Sequence, residues 1–114
     1  MSALKLPLEV TPDEAKRRLD AGEAIALIDV REPSEFQICS LPGAELIPLD
    51  TIPGRIAELD GRADDALLLL YCHHGIRSLN AVGWLRSHGV ENCQSLAGGI
   101  DRWSKQVDPT VPRY

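Results

Sequence analysis

The sequence lacks a hydrophobic run long enough to cross a membrane as a helix, which takes about 20 apolar residues. Its longest candidate, Ala66–Tyr71, has the length of a strand. The N-terminal stretch MSALKLPLEV contains one lysine, and proline and charged residues interrupt it too soon for the apolar region of a secretory signal. We therefore expect a cytoplasmic protein that has no membrane partner.

Positive charge is also scarce, because 12 lysines and arginines are outnumbered by 17 aspartates and glutamates, for a net charge of −5. The sequence contains no basic run with interleaved aromatic residues. A basic patch is the usual electrostatic signature of nucleic-acid binding. We therefore do not expect nucleic acid as a partner.

Cysteine occurs three times, at Cys39, Cys72 and Cys93. An odd number without a CxxC pair does not fit a disulfide framework, a zinc site or a dithiol redox motif. In a reducing compartment all three should be free thiols, and the local setting decides which of them is reactive. We predict no metal site and no cofactor.

What the sequence does contain is a regular alternation of strand-like apolar runs and helical patterns, joined by short connections. Thr11 is the expected N-cap of the first helix, and Ser34 that of a second, short one. The predicted strands are 24–30, 45–47, 66–71 and 92–96, and the predicted helices lie between Thr11 and Gly22, after Ser34, and at 52–60, 76–87 and 100–105.

This alternation predicts an α/β fold with an open, mostly parallel, doubly wound sheet that carries helices on both faces. The 114 residues should form a single domain, with its core at about 10–105 and an irregular, surface-packed tail at 106–114. In open parallel sheets, ligands bind at the carboxyl ends of the strands. Arg31 and Cys72 each directly follow a predicted strand, so both are expected at that edge.

The loop CHHGIR, which starts at Cys72, joins a buried strand to a helix. The first turn of a helix has N–H groups without intrahelical partners and a partial positive charge, so such a loop can bind an anion. Gly75 permits the restricted backbone that turns successive amides inward. A thiol among these donors should ionise more readily than a free cysteine, which makes Cys72 the predicted nucleophile.

Two further side chains at the end of this loop suit the same chemistry. The Arg77 guanidinium fits an oxyanion or the loop carbonyls, and Ser78 can donate at the start of the helix. The structural alternative is a small buried cysteine, an ordinary turn glycine and a surface arginine. The combination of all these residues between one strand and one helix favours the functional interpretation.

Four residues, His73, His74, Gly75 and Ile76, separate Cys72 from Arg77. Phosphatases with a cysteine nucleophile have one residue more in this interval, which makes room for a phosphate. The smaller ring suits a cysteine that carries one additional sulfur. The segment CHHGIRS resembles the active-site loop of the rhodanese-like sulfurtransferases.

The resemblance to this family extends over about Val10–Trp103, and three further motifs carry it in the family's order. These motifs are LIDVREPSEF at 27–36, LPGAELIPL at 41–49 and LAGGIDRW at 96–103. One departure is that Cys39 and Ser40 stand where the family often has Gly-His. A resolving role for Cys39 is therefore open, whereas Cys93 is expected to be inert core filling.

The resemblance implies a doubly wound α/β domain and a persulfide on Cys72 in a double-displacement cycle, with ping-pong kinetics. The implied donor is thiosulfate or another persulfide, and the implied acceptor is cyanide, a small thiol or a protein thiol. Without the second copy found in two-domain members, the pocket should be open to such acceptors. The sequence does not indicate an oligomeric state.

Asp29 and Arg31 match family positions beside the pocket, where Asp29 is expected to hold loops together by hydrogen bonds rather than to transfer protons. His73 and His74 should line the rim of the pocket and contribute their amides. Adjacent histidine side chains are expected to point in different directions, and no second group lies at ligand spacing, so zinc is not expected.

Two alternative functions stay open at this point. One is a rhodanese-like binding or relay module that receives sulfur from a protein donor and has little activity with thiosulfate. The other is a small cysteine-based phosphatase or arsenate reductase, which the short loop disfavours.

Overall fold

The computed structural model describes residues 6–114, which form one five-stranded sheet with the strand order β1-β5-β4-β2-β3. Every paired strand is parallel to its neighbour. The expectation that the N-terminal stretch is not a secretory signal rests partly on residues 1–5, which lie outside the described residues. The strands are β1 (Glu9–Val10), β2 (Ile25–Asp29), β3 (Glu45–Leu46), β4 (Leu67–Tyr71) and β5 (Cys93–Leu96).

The described residues form five α-helices, of which four connect successive strands and the fifth follows the last strand. Two short 3-10 turns, Leu49–Thr51 and Pro53–Arg55, precede the third helix. No helix within residues 6–114 has the length and apolar character needed to span a bilayer. The helices are α1 (Pro12–Asp20), α2 (Pro33–Ile38), α3 (Ile56–Ala63), α4 (Ile76–Ser87) and α5 (Gly99–Gln106).

Strand β4 is the centre of the sheet, and all of its side chains are buried. Alternate side chains of a strand point to opposite faces, so an uninterrupted apolar run requires cover on both sides. Leu68 and Leu70 pack with α3 and α4 on one face, and Leu69 and Tyr71 pack with α1 and α5 on the other. The predicted α/β architecture with helices on both faces is confirmed.

The register of the sheet brings two predicted site segments together. Asp29 at the end of β2 is aligned with Tyr71 at the end of β4. Arg31 and Cys72, which follow these strands, therefore lie at the same carboxyl edge of the sheet.

One local expectation about the fold was wrong, and one strand was missed. Ser34 lies inside α2, and Glu32 is its N-cap instead, because Pro33 occupies the first helical position. Strand β1 was missed because it is only two residues long, and its pairing of Val10 with Leu96 is a contact between distant parts of the sequence. Thr11 caps α1 as predicted, since its side-chain oxygen accepts a hydrogen bond from Glu14 N at 3.2 Å.

The N-terminus of α5 packs directly onto the loop that follows β4. Ile100 N donates to the carbonyl oxygen of Cys72 at 2.9 Å, and Asp101 N donates to that of His73 at 3.1 Å. Gly99 has a φ of +63°, and a Cβ at this position would overlap both carbonyl groups. A side chain at position 99 would therefore separate α5 from the loop.

This close approach predicts different effects for two glycine substitutions that share a left-handed backbone. Gly89 has a φ of +93° and open space where a Cβ would lie, so Gly89→Ala should cost only the conformational strain of about 1–2 kcal/mol. Gly99→Ala should lower the free energy of unfolding considerably more, because strain and backbone overlap add. Urea denaturation of both variants measures the difference, and equal losses would show that the α5 contact is not a constraint.

Candidate active site

Cys72 leaves β4 and lies at the base of the loop, with 1% of its surface exposed. Its sulfur accepts hydrogen bonds from Gly75 N at 3.1 Å and from Ser78 N at 3.4 Å. The Ser78 hydroxyl oxygen lies 3.5 Å from the sulfur. The two amides stabilise negative charge on Sγ. The loop therefore directs two backbone amides, those of Gly75 and Ser78, at the sulfur of Cys72.

Gly75 gives the loop this shape. It is the N-cap of α4 and has a left-handed φ of 98°, a conformation that favours glycine. An added Cβ would lie 3.0 Å from Gly98 N, so the neighbouring backbone also restricts this position. The turn directs the first amides of α4 toward the sulfur of Cys72.

Ser95 of β5 contacts the loop through a hydrogen bond to Ser78. The sequence analysis did not identify Ser95 as part of the site. Its hydroxyl shares a 2.7 Å hydrogen bond with the hydroxyl of Ser78, and both residues are fully buried. The Ser78 hydroxyl also donates to the carbonyl oxygen of Gly75 at 3.3 Å. The signal in the sequence was a serine inside a buried strand, where a polar group needs a partner.

The expectation that His73 and His74 point in different directions was wrong. Their rings stack with centroids 3.9 Å apart, and the other face of His73 stacks on Tyr114, also at 3.9 Å. The three rings form one stack because Tyr114 packs beside the loop. Burial, followed by the adjacent His74, lowers the pKa of His73, so its imidazole is neutral at neutral pH.

The histidines do have a third potential metal ligand nearby, contrary to expectation. Ligand atoms of His73, His74 and Asp101 all lie within 4.8 Å of one another. The Asp101 carboxylate, however, accepts a hydrogen bond from Arg113 at 2.9 Å and lies 3.3 Å from the Lys105 ammonium. Because these cations already neutralise the carboxylate, the three groups fit a metal ion poorly. The absence of a metal cofactor stays a prediction.

Arg77 is paired with a carboxylate from another element. Its two terminal nitrogens donate to the two oxygens of Glu35 in α2, at 2.7 and 2.9 Å. The Tyr114 hydroxyl donates to the same carboxylate at 2.8 Å. Arg77 is the main cause that lowers the pKa of Glu35 to about 2. Glu35 belongs to the motif LIDVREPSEF at 27–36, but the sequence did not predict a role for it.

Asp29 and Arg31 form a fully buried ion pair with a shortest distance of 2.6 Å. Asp29 also accepts a hydrogen bond from Arg31 N at 2.9 Å. The guanidinium of Arg31 donates further to the carbonyl oxygen of Cys39 at 2.6 Å and to the Tyr114 hydroxyl at 2.7 Å. These contacts agree with the structural role that was expected for Asp29.

The three cysteines are all free and buried. Cys72 and Cys93 belong to the core on the α3 and α4 face of the sheet, whereas Cys39 belongs to the core on the α1 and α5 face. Burial is the main cause that raises the pKa of Cys93. The structure therefore does not pair Cys39 with Cys72 and leaves Cys93 as core filling.

The geometry defines a class of protein: an α/β fold with a buried cysteine at the end of the central strand, inside a loop that leads into a helix and directs two backbone amides at the sulfur. The chain belongs to the Rhodanese-like domain family, whose family model matches residues 11–106.

Individual relatives include proteins named as sulfurtransferases. The chain is 38% identical over 107 residues to the probable adenylyltransferase/sulfurtransferase MoeZ of Mycobacterium tuberculosis, covering 92% of this chain but only 26% of that protein. It is 31% identical to a sulfurtransferase of Allochromatium vinosum, covering 90% of this chain and 94% of that one.

Among solved structures, the human single-domain sulfurtransferase TSTD1 matches with a TM-score of 0.75 and 26% identity. The match covers 89% of this chain and 98% of the human one. The fold and the family therefore agree with the resemblance seen in the sequence.

Removal of one charge from the buried ion pair should destabilise the protein strongly. Asp29→Asn leaves the Arg31 guanidinium without its carboxylate in a fully buried position, and we expect a loss of about 3–5 kcal/mol in the free energy of unfolding. Asp20→Asn is the matched control, because it breaks the exposed pair with Lys16, which should contribute less than about 1 kcal/mol. Similar urea midpoints for both variants would contradict this role of Asp29.

The pairing of Glu35 with Arg77 also predicts a pH dependence of stability. Because the folded pKa of Glu35 is lowered from 4.5 to about 2, its contribution is complete above the unfolded pKa and is lost as the pH falls through the folded one. The stability difference between the wild type and Glu35→Gln should therefore be constant above about pH 4.5 and shrink as the pH falls from there to about 2. Urea denaturation at a series of pH values tests this, and a difference that stays constant over the whole series would contradict it.

Proposed function

We propose that the protein is a rhodanese-type sulfurtransferase that carries a sulfane sulfur as a persulfide on Cys72. The observation that supports this most directly is the sulfur of Cys72 facing the amides of Gly75 and Ser78 at 3.1 and 3.4 Å. The same donors can stabilise the charge of a terminal persulfide sulfur. They therefore favour both the free thiolate and the covalent intermediate.

The proposed cycle has two displacements on sulfur. The Cys72 thiolate attacks the outer sulfur of thiosulfate, a new S–S bond forms, and the old S–S bond breaks with its electron pair leaving on sulfite. A thiolate or cyanide then attacks the outer sulfur of the persulfide. This step regenerates the Cys72 thiolate and releases an acceptor persulfide or thiocyanate.

Access to Cys72 runs through an open pocket of about 300 Å³ lined by Cys72, His73, His74, Ile76 and Arg77. Ile76 is 71% exposed, which is unusual for an isoleucine at the start of a helix. An open pocket with an apolar rim supports acceptors that are small thiols or protein thiols. We place the reaction in the cytoplasm, where a reducing environment keeps Cys72 as a thiol.

A second candidate is a relay module that receives its sulfur from a protein donor such as a cysteine desulfurase and turns over thiosulfate poorly. The match to about a quarter of an adenylyltransferase/sulfurtransferase favours this alternative. Cysteine-based phosphate or arsenate chemistry is less favoured, because the loop between Cys72 and Arg77 has only four residues. Hydrolysis of an aryl phosphate would support it.

The proposal predicts a covalent adduct that intact-mass measurement detects directly. Incubation with thiosulfate, or with a persulfide-loaded desulfurase, should add one sulfur atom, and cyanide should remove it. Cys72→Ser should abolish the adduct, whereas the matched variant Cys93→Ser should retain it, because Cys93 lies in the same core without amide donors to its sulfur. Loading by the desulfurase alone would select the relay, and no adduct with either donor would overturn the proposal.

A further inference from the structure

Arg77 is the only residue with a fixed positive charge among those that line the Cys72 pocket in the described chain. This guanidinium is the group in the pocket that would attract a small dianion such as thiosulfate, yet both of its terminal nitrogens already bind Glu35. Glu35 is mostly buried, with 17% of its side chain exposed. The positive charge of the pocket is therefore neutralised by an internal carboxylate.

The carboxylate of Glu35 is itself held from three sides. Besides Arg77, it accepts hydrogen bonds from the backbone N–H of Glu32 at 3.1 Å and from the Tyr114 hydroxyl at 2.8 Å. A carboxylate with these donors is preorganised as an anion, and the pKa of Glu35 is lowered to about 2 accordingly. Glu35 is thus ionised at neutral pH and acts as the counter-ion of Arg77.

Tyr114 connects this arrangement to the interior. Its hydroxyl accepts from Arg31 at 2.7 Å and donates to Glu35, so the buried Asp29–Arg31 pair fixes its orientation. Its ring stacks on His73 with an interplanar angle of 8°. Since Tyr114 does not line the pocket, it can act on the chemistry only through Glu35 and His73.

Resting on the sulfur-transfer function proposed above, we propose that Glu35 determines donor specificity and that Tyr114 positions it. By occupying Arg77, Glu35 makes the pocket select against small dianionic donors and in favour of a persulfide carried on a thiol. The persulfide group of such a donor carries one negative charge at most, whereas thiosulfate carries two, and the cation of the pocket is already paired.

The reaction with this donor class follows the same chemistry. The Cys72 thiolate attacks the outer sulfur of R–S–SH, and a bond forms between Sγ and that sulfur. The original S–S bond breaks, and its electron pair leaves on the donor thiolate R–S⁻. The persulfide proton stays on the transferred sulfur, so atoms and charges balance.

Alkylation of Cys72 by two reagents of different charge tests this inference without requiring sulfur transfer. The ratio of the iodoacetate rate to the iodoacetamide rate reports how well the pocket accepts a negative charge. Glu35→Gln should raise this ratio about two- to fivefold, the contribution expected of one partly exposed charge. Cys72→Ser gives the background from other thiols.

Three further variants separate charge, hydroxyl and ring. Glu58→Gln removes one surface carboxylate from α3 and should leave the ratio unchanged, which controls for net charge. Tyr114→Phe keeps the ring and loses only the hydroxyl, so the ratio should rise less than in Glu35→Gln. Tyr114→Ala also removes the stack on His73. An unchanged ratio in both Glu35→Gln and Tyr114→Phe, or an equal rise in Glu58→Gln, would overturn the inference.

Steady-state kinetics with thiosulfate provide the second measurement. Glu35→Gln should lower KM for thiosulfate several-fold with a smaller change in kcat, because the freed guanidinium acts mainly on binding. If Glu35→Gln raised KM for thiosulfate and left the alkylation ratio unchanged, this inference would be overturned, but the proposed function would not. If Cys72 accepts sulfur from no donor, the proposed function fails, whereas the alkylation ratio still decides whether Glu35 controls the charge of the pocket.

Discussion

The buried ion pair between Asp29 and Arg31 is the interaction on which the arrangement of the site depends. A guanidinium removed from water is stable only when its donors are satisfied, and here a carboxylate, the Cys39 carbonyl and the Tyr114 hydroxyl satisfy them. Each partner belongs to a different segment, so one buried charge fixes the end of β2, the turn after α2 and the chain end together. Through the Tyr114 hydroxyl, this buried pair also contacts the Glu35 carboxylate that binds Arg77.

The loop after β4 separates its two kinds of backbone group. The carbonyl oxygens of Cys72 and His73 face the N-terminus of α5 and accept hydrogen bonds from it, while the amides of Gly75 and Ser78 face the sulfur. Because these two carbonyl oxygens accept hydrogen bonds from α5, the backbone groups of the loop that contact the sulfur are N–H donors. This preorganisation is what a site needs to stabilise an anion without rearranging during the reaction.

The sequence was sufficient to predict features that depend on neighbouring residues. The buried strand before Cys72, the boundaries of α4 and the alternation that produces a parallel sheet all follow from local periodicity and capping. The partners of Arg77, the support from Ser95 and the stack of Tyr114 on His73 join residues that lie far apart in the chain. Neither periodicity nor composition contains these pairings, because only the folded sheet brings the segments together.

The sulfur of Cys72 receives its nearest hydrogen bonds from backbone amides, and this has a consequence for how the protein can diversify. Backbone donors are the same whatever side chains occupy positions 73, 74 and 76. The atoms that contact the sulfur and the side chains exposed at the pocket are therefore separate parts of one short loop. The exposed side chains of His74 and Ile76 can be exchanged while the thiol keeps its amide donors, which makes this loop a natural target for redesign.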